Sequence, residues 1–163
     1  MQKGFTLIEL ILYVAIVAIV LGSLIPFAWN IIGGEVKSQT DQEVSSQARI
    51  VSEKIKTEIR NAKDFVSIIP PATLNLTDIN NNSVVITLSA GKVTLNRGGA
   101  GATALNSDNT NVPALTFTNY TSADYKTKNI QFVFTIDDNY SGTRQEYNAS
   151  PLTVESSAEI RGN

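Results

Sequence analysis

The chain has 163 residues, 42% of them hydrophobic, with 15 acidic and 13 basic side chains and neither Cys nor His. That is one modest domain with an appendage, and it excludes disulfide frameworks, zinc ribbons, thiol nucleophiles and mechanisms that rest on a His base or ligand. A formal net charge of -2 offers no basic field to phosphate backbones, so nucleic acid is not an expected partner.

The chain opens Met1-Gln2-Lys3-Gly4-Phe5-Thr6-Leu7-Ile8-Glu9, and residues 10–34 then carry no charge at all. About 20 residues at the helical rise cross a hydrocarbon core. Residues 10–29 supply that length, with only Tyr13, Gly22, Ser23 and Pro26 departing from aliphatic, Ala or aromatic character. The run is longer than the ~7–15-residue apolar core of a cleaved secretory signal, and no small-residue site follows Trp29-Asn30-Ile31-Ile32. It reads as a membrane span. A carboxylate within such a span is expensive unless paired, which makes Glu9 a functional candidate; the alternative is a Glu at the headgroup boundary that marks where the span starts. Gly22 and Pro26 permit a kink, although a packed spanning helix also tolerates both residues.

Gly33-Gly34 is a flexible punctuation point, after which apolar residues recur at Val44, Ala48, Val51, Ile55, Ile59, Ala62 and Val66 in steps of three and four. That is one helical stripe, with Ile50 off the pattern and charges of mixed sign elsewhere. The expectation is an amphipathic helix over 35–64, ended at the latest by Pro70-Pro71. If it is continuous with the apolar run from Phe5, the helix has 60 residues and a length of roughly 90 Å, which makes it a stalk.

Asn, Ser and Thr make up 36 of the 103 residues from 61 to 163, and this part reads as strands. Ile130, Phe132, Phe134 and Ile136 alternate with polar neighbours and Val133, as do Leu115 and Phe117 with Thr116 and Thr118. Val84, Ile86 and Leu88 face Val93 and Leu95 across Ser89-Ala90-Gly91 as a hairpin. Tyr147 and residues 152–154 add the last strands. Residues 96–111 are rich in Gly and Asn, with Leu105 the one large apolar side chain, and are expected to form a long loop. The fold class is therefore α+β: a long N-terminal helix whose second half packs against a small antiparallel sheet, since neither element has another partner.

The hexad Gly4-Phe5-Thr6-Leu7-Ile8-Glu9, after a short leader containing Lys3 and ahead of an uncharged run, resembles the class III signal of type IV pilins and pseudopilins. The resemblance implies that a membrane prepilin peptidase cuts after Gly4 and methylates the new N-terminal Phe5. It makes residues 1–4 a cleaved leader, 5–34 a transmembrane and assembly helix, 35–64 an amphipathic helix and 65–163 a β-rich head. It implies that Glu9 pairs with the positive N-terminus of a neighbouring subunit, that Gly22 and Pro26 form a helix kink, and that the chain is a structural subunit rather than an enzyme. The physical chemistry agrees with the Glu9 role, because a methylated amine neutralises a buried carboxylate without water. The implied partners are the peptidase, other pilin or pseudopilin subunits, the inner-membrane assembly platform and the bilayer. The implied location is the cytoplasmic membrane, single-pass with the head outside the cytoplasm, and then a cell-surface or periplasmic filament. The long head is most similar to J-class minor pseudopilins and W-type minor pilins, which cap or prime filaments. The alternative of another class is a single-pass anchored binding or adhesion domain. An anchored hydrolase lacks support without His or Cys.

No cofactor or metal is expected. Asp137-Asp138-Asn139-Tyr140-Ser141-Gly142 begins like a calcium loop but has Asn148 where the twelfth-position Glu belongs, and a hairpin turn explains the same residues. Gly98-Gly99-Ala100-Gly101 lacks the Lys of a phosphate loop and reads as a linker. Sequons at Asn75, Asn81, Asn119, Asn139 and Asn148 are what such a composition yields by chance. Tyr120, Tyr125, Tyr140 and Tyr147 are either a binding surface or core and cross-strand pairs.

Overall fold

The computed structural model describes residues 6–70, 72–123 and 127–161. Helix α1 (Leu7–Asn61) has 55 residues, a length of about 80 Å at the helical rise. It runs unbroken through Gly33 and Gly34, where an added Cβ would meet nothing within 4 Å. A glycine costs a helix interior only about 1 kcal/mol relative to Ala, too little to interrupt a segment that is helical on both sides.

The C-terminal end corrects the expected boundary at residue 64. Ala62 is the cap, extended at φ -67° and ψ 141°, and its N–H still donates to the Ile59 carbonyl. Strand β1 (Ala62–Ile69) follows without a loop. Ala62 is buried in the core as the stripe requires, but Val66 is 58% exposed on the strand. The β-branched content of Val66-Ser67-Ile68-Ile69 and pairing with the next strand outweigh the helical spacing. Asp64 also favours the turn out of the helix, accepting from the Phe65 N–H at 2.8 Å and from Lys128 Nζ at 2.7 Å.

Among the described residues seven more strands follow: β2 (Thr73–Asp78), β3 (Ser83–Ser89), β4 (Lys92–Arg97), β5 (Ala102–Ala104), β6 (Thr110–Asn119), β7 (Asn129–Asp138) and β8 (Leu152–Glu159). All pairings are antiparallel. They form two sheets, five-stranded β1-β2-β3-β4-β5 and three-stranded β6-β7-β8, where one sheet was expected. The anticipated hairpin is present, with Ile86 opposite Leu95 and Leu88 opposite Val93. Its turn places Ala90 and Gly91 at positive φ, and a Cβ on Gly91 would lie 1.9 Å from Asn111 Oδ1. The positive φ favours glycine there, and the Gly91 carbonyl accepts from the Val112 N–H at 2.9 Å, which ties one sheet to the other.

One core joins these layers. Val44, Ala48, Val51, Ile55 and Ile59 of α1 are buried against Leu74, Leu76, Ile86 and Val93 of the larger sheet and Ile130, Phe132, Phe134 and Ile136 of the smaller one. The 96–111 segment is not a plain loop: it holds the end of β4, all of β5 and the start of β6. Asn106 organises it from a buried position, accepting from the Val93 N–H at 2.9 Å and donating to the Thr110 carbonyl at 3.0 Å, so a polar residue does there what a hydrophobic one does elsewhere. Tyr147 lies in a 3-10 turn, Gln145–Tyr147, rather than in a strand, with its ring centroid 5.3 Å from that of Tyr140. The architecture is α+β and pilin-like, a long helix carrying antiparallel sheet on its second half.

Candidate functional site

The first turn of α1 is built by Thr6 and Glu9. Thr6 is the N-cap, extended at φ -83° and ψ 149°. Its Oγ1 accepts from the Glu9 N–H at 3.3 Å, while Glu9 Oε2 accepts from the Thr6 N–H at 3.2 Å and from Thr6 Oγ1 at 3.0 Å. This reciprocal capping box satisfies two backbone donors that a helix start leaves orphaned and sets a carboxylate against the positive end of the helix dipole. Glu9 Oε1 takes no part in these bonds and is solvent-exposed with the rest of the residue. Thr-x-x-Glu directly before an apolar run is the sequence signature of this cap, a local role for Glu9 beside the intramembrane and headgroup-boundary ones expected from its charge. Lys3, Gly4 and Phe5, the residues of the expected cleavage and methylation site, lie outside the described residues.

Behind this turn the helix presents its apolar side chains outward on every face. Leu7, Ile8, Ile11, Leu12, Val14, Ile19 and Phe27 are all more than half exposed, and no residue of the most apolar 18-residue stretch is buried within the chain. A soluble head does not leave such an area in water. The segment is long and apolar enough to cross a membrane, and the helix is first bonded to the head at Lys37 and first fully buried against it at Val44. Gly22 and Pro26 lie four residues apart within it, so the N–H that Pro26 lacks is the one that would bond to the Gly22 carbonyl. Ser23 Oγ donates to the Val20 carbonyl at 2.8 Å in the same turn.

At the far end of α1, Glu58 is buried and held by Arg97 of β4, whose Nε donates to Oε2 at 3.2 Å and whose Nη2 donates to Oε1. Closer to the span, Glu43 Oε1 accepts from Asn109 Nδ2 at 3.0 Å and from Ser107 Oγ at 3.2 Å, and Lys37 Nζ donates to the Asn148 carbonyl. These bonds fix the head to one face of the helix. The Asp137–Asp138 turn is internally occupied: Asp138 Oδ1 accepts from the Tyr140 N–H at 2.8 Å and Oδ2 from the Ala149 N–H at 2.5 Å. Asp137 is held above the usual carboxylate range by burial and then by the charge of Asp138. Among the described residues, no group of three or more Asp or Glu side chains is gathered closely enough to hold a metal ion.

The arrangement anchors and presents. It offers an apolar helix with an ordered, acid-bearing first turn, attached to a folded polar head. Comparison with curated proteins and with solved structures finds no match. Residues 1–25 match the family model described as the prokaryotic N-terminal methylation motif. This is the class III signal, which implies processing by a prepilin peptidase, assembly with other pilins and anchoring in a membrane. That motif, at the head of a pilin-like α+β fold, supports a precursor of the type IV pilin and pseudopilin kind.

Proposed function

We propose that this chain is a minor pilin or pseudopilin, a non-enzymatic structural subunit of a type IV pilus or type II secretion filament that primes or caps assembly. The observation that carries the reading is the methylation motif over residues 1–25. In this account residues 1–4 are removed, Phe5 becomes the methylated N-terminus, and the span moves from the bilayer into a bundle of neighbouring spans. The head stands outside the cytoplasm, consistent with Lys3 being the one charge of positive sign before the span.

Glu9 is the assembly residue. In the bundle its carboxylate leaves water, where an unpaired charge is costly, and the methylated amine of a neighbour offsets that cost. Oε2 is already engaged by Thr6 while Oε1 is open, so an approaching amine finds an acceptor without breaking the cap. Gly22 and Pro26 give the span a hinge for that transfer.

The test is crosslinking between spans. Cysteine placed at Ala15 should crosslink the chain to other pilin subunits carrying cysteine in their spans, and Glu9→Leu should reduce that yield while leaving leader removal and the circular dichroism of the head unchanged. A fully processed chain that never crosslinks to another span would instead establish the single-pass anchored binding domain.

A further inference from the structure

A cleft of about 480 Å³ opens beside the C-terminal end of α1, and its wall carries Arg60, Arg97 and Arg161. The helical rise from Gly34 to Arg60 is about 40 Å, so the cleft sits at the end of the head away from the span. Its cations come from three elements: the last turn of α1, the end of β4 and the segment after β8. The Arg161 N–H donates to the Arg60 carbonyl at 3.4 Å, which holds those two residues side by side.

The acids in the same wall are both engaged. Glu58 takes Nε and Nη2 of Arg97 on its two oxygens. Asp78 Oδ1 accepts from the Asn80 and Asn82 N–H groups at 2.8 Å each, and Oδ2 accepts from Asn82 Nδ2 at 3.1 Å. Arg97 is 58% exposed, and its Nη1 stands outside the Glu58 pair. Arg60 and Arg161 are exposed, and among the described residues neither has a carboxylate within ion-pair distance. A cation in the last turn of a helix complements the helix dipole, which accounts for Arg60. It does not account for Arg161, brought to the same cleft from the far end of the chain. Gathered guanidinium groups repel one another until an anion joins them, and the chain as a whole is acidic, with a net charge of -2.

We propose that this cleft is a binding site for a phosphorylated sugar or polyol. The forks of Arg60 and Arg161 match the oxygens of a phosphoryl group bidentately, and Arg97 Nη1 adds a further donor. The side-chain amides of Asn61 and Asn80 line the same wall and have no partner among the described residues, so they serve the hydroxyls. Ile79, 61% exposed beside them, offers an apolar surface to the carbon skeleton. A nucleic acid needs a basic stripe that follows successive phosphates, whereas three cations in one concave site suit a single phosphoryl group. The chemistry is shared by a free phosphosugar and by one repeat of a phosphodiester-linked surface polymer. The site goes beyond the proposed assembly role and does not depend on it.

The experiment is calorimetric titration of the full chain in non-ionic detergent. Its probes are glucose 1-phosphate, glucose, glucuronate, poly(glycerol phosphate) and a short DNA duplex. Saturable 1:1 binding of glucose 1-phosphate is expected, about tenfold or more tighter than glucuronate and with no detectable binding of glucose. Tighter binding of poly(glycerol phosphate) identifies a polymer repeat as the source, and its exclusion identifies the free monoester. Arg60→Gln and Arg161→Gln should each weaken phosphate binding about tenfold. Arg60→Lys with Arg161→Lys keeps the charge without the fork and should weaken it less than the paired Gln changes. Arg97 is left intact because it holds Glu58, and circular dichroism of each variant reports whether the fold survives. Glucose 1-phosphate binding no tighter than glucuronate, binding indifferent to the paired Gln changes, or binding of the duplex alone would overturn the proposal. Span crosslinking through cysteine at Ala15 is the separate arm. Crosslinking without phosphosugar binding sinks this site alone, and binding without crosslinking sinks the assembly reading alone.

Discussion

At the scale of single residues, the strongest constraints are a paired charge and a glycine. Arg97 shields the buried carboxylate of Glu58, and Arg97→Ala leaves that charge without its cation. The expected loss is about 1–3 kcal/mol, below that of a fully buried pair because the guanidinium is itself 58% exposed; chemical denaturation measures it, and Glu58→Gln with Arg97→Ala should recover part of it. Gly91 has φ +74° and a neighbour where its Cβ would stand. Gly91→Ala should therefore cost about 1–2 kcal/mol, whereas Gly34→Ala, in open helix, should be neutral or slightly stabilising. The carboxyl of Asp64 is held below its ordinary value chiefly by the Lys128 hydrogen bond, and that of Asp78 by the Asn82 backbone N–H. A folded pKa below the unfolded one stabilises above the unfolded value of 3.8 and is lost as pH falls through the lower folded value. Thermal melts between neutral and strongly acid pH should show that loss in wild type and less of it in Asp64→Asn, and the difference should be small because this pair is solvent-screened. Asp137 has the opposite sign, its carboxyl raised first by burial and then by the charge of Asp138, so Asp137→Asn should leave the melting temperature at neutral pH unchanged or slightly raised in the same melts.

At the scale of elements, one side of α1 carries the head and the other does not. Ile55 is fully buried and Ile50 is 43% exposed, five positions away on the same helix. Ile55→Ala should destabilise by about 2–4 kcal/mol and Ile50→Ala by well under 1; equal effects in denaturant titrations would show that the head packs on a different face. These positions were legible because a three-four spacing admits one buried face, and the strand containing Phe132 and Phe134 was legible because alternation with polar residues admits one buried side. What escaped has a physical reason. In β2, Leu74 and Leu76 alternate with Asn75 and Thr77, a signal only six residues long. The 96–111 segment is held by the Asn106 amide, and composition does not distinguish a buried Asn from a loop Asn. The helix end at Asn61 was invisible because Ala62 and Val66 continue the helical spacing, while the β1–β2 pairing that overrides it lies in the three-dimensional structure. Thr6 is legible as a cap from Thr-x-x-Glu ahead of an apolar run, a local role for Glu9 that its charge alone does not indicate.

At the scale of the whole molecule, the chain divides into a part that needs lipid or other spans around it and a part whose core closes on itself. Protease added to spheroplasts should digest the head and leave the apolar segment protected, and full protection of the head would reverse the assigned orientation. The same division explains why the N-terminal segment was so readable: its requirement is length and apolarity, which composition states directly, whereas the identity of what the head touches depends on surfaces that only the assembled fold brings together. The central claim is that residues 1–25 are a processed signal and not merely an anchor. Intact-mass measurement of the full chain coexpressed with a prepilin peptidase tests it most directly. Processing at Gly4 gives a single species lacking residues 1–4 and carrying one added methyl group at Phe5, with Gly4→Val retained at full length; a wild-type chain that keeps Met1 to Gly4 in the presence of an active peptidase would rule it out.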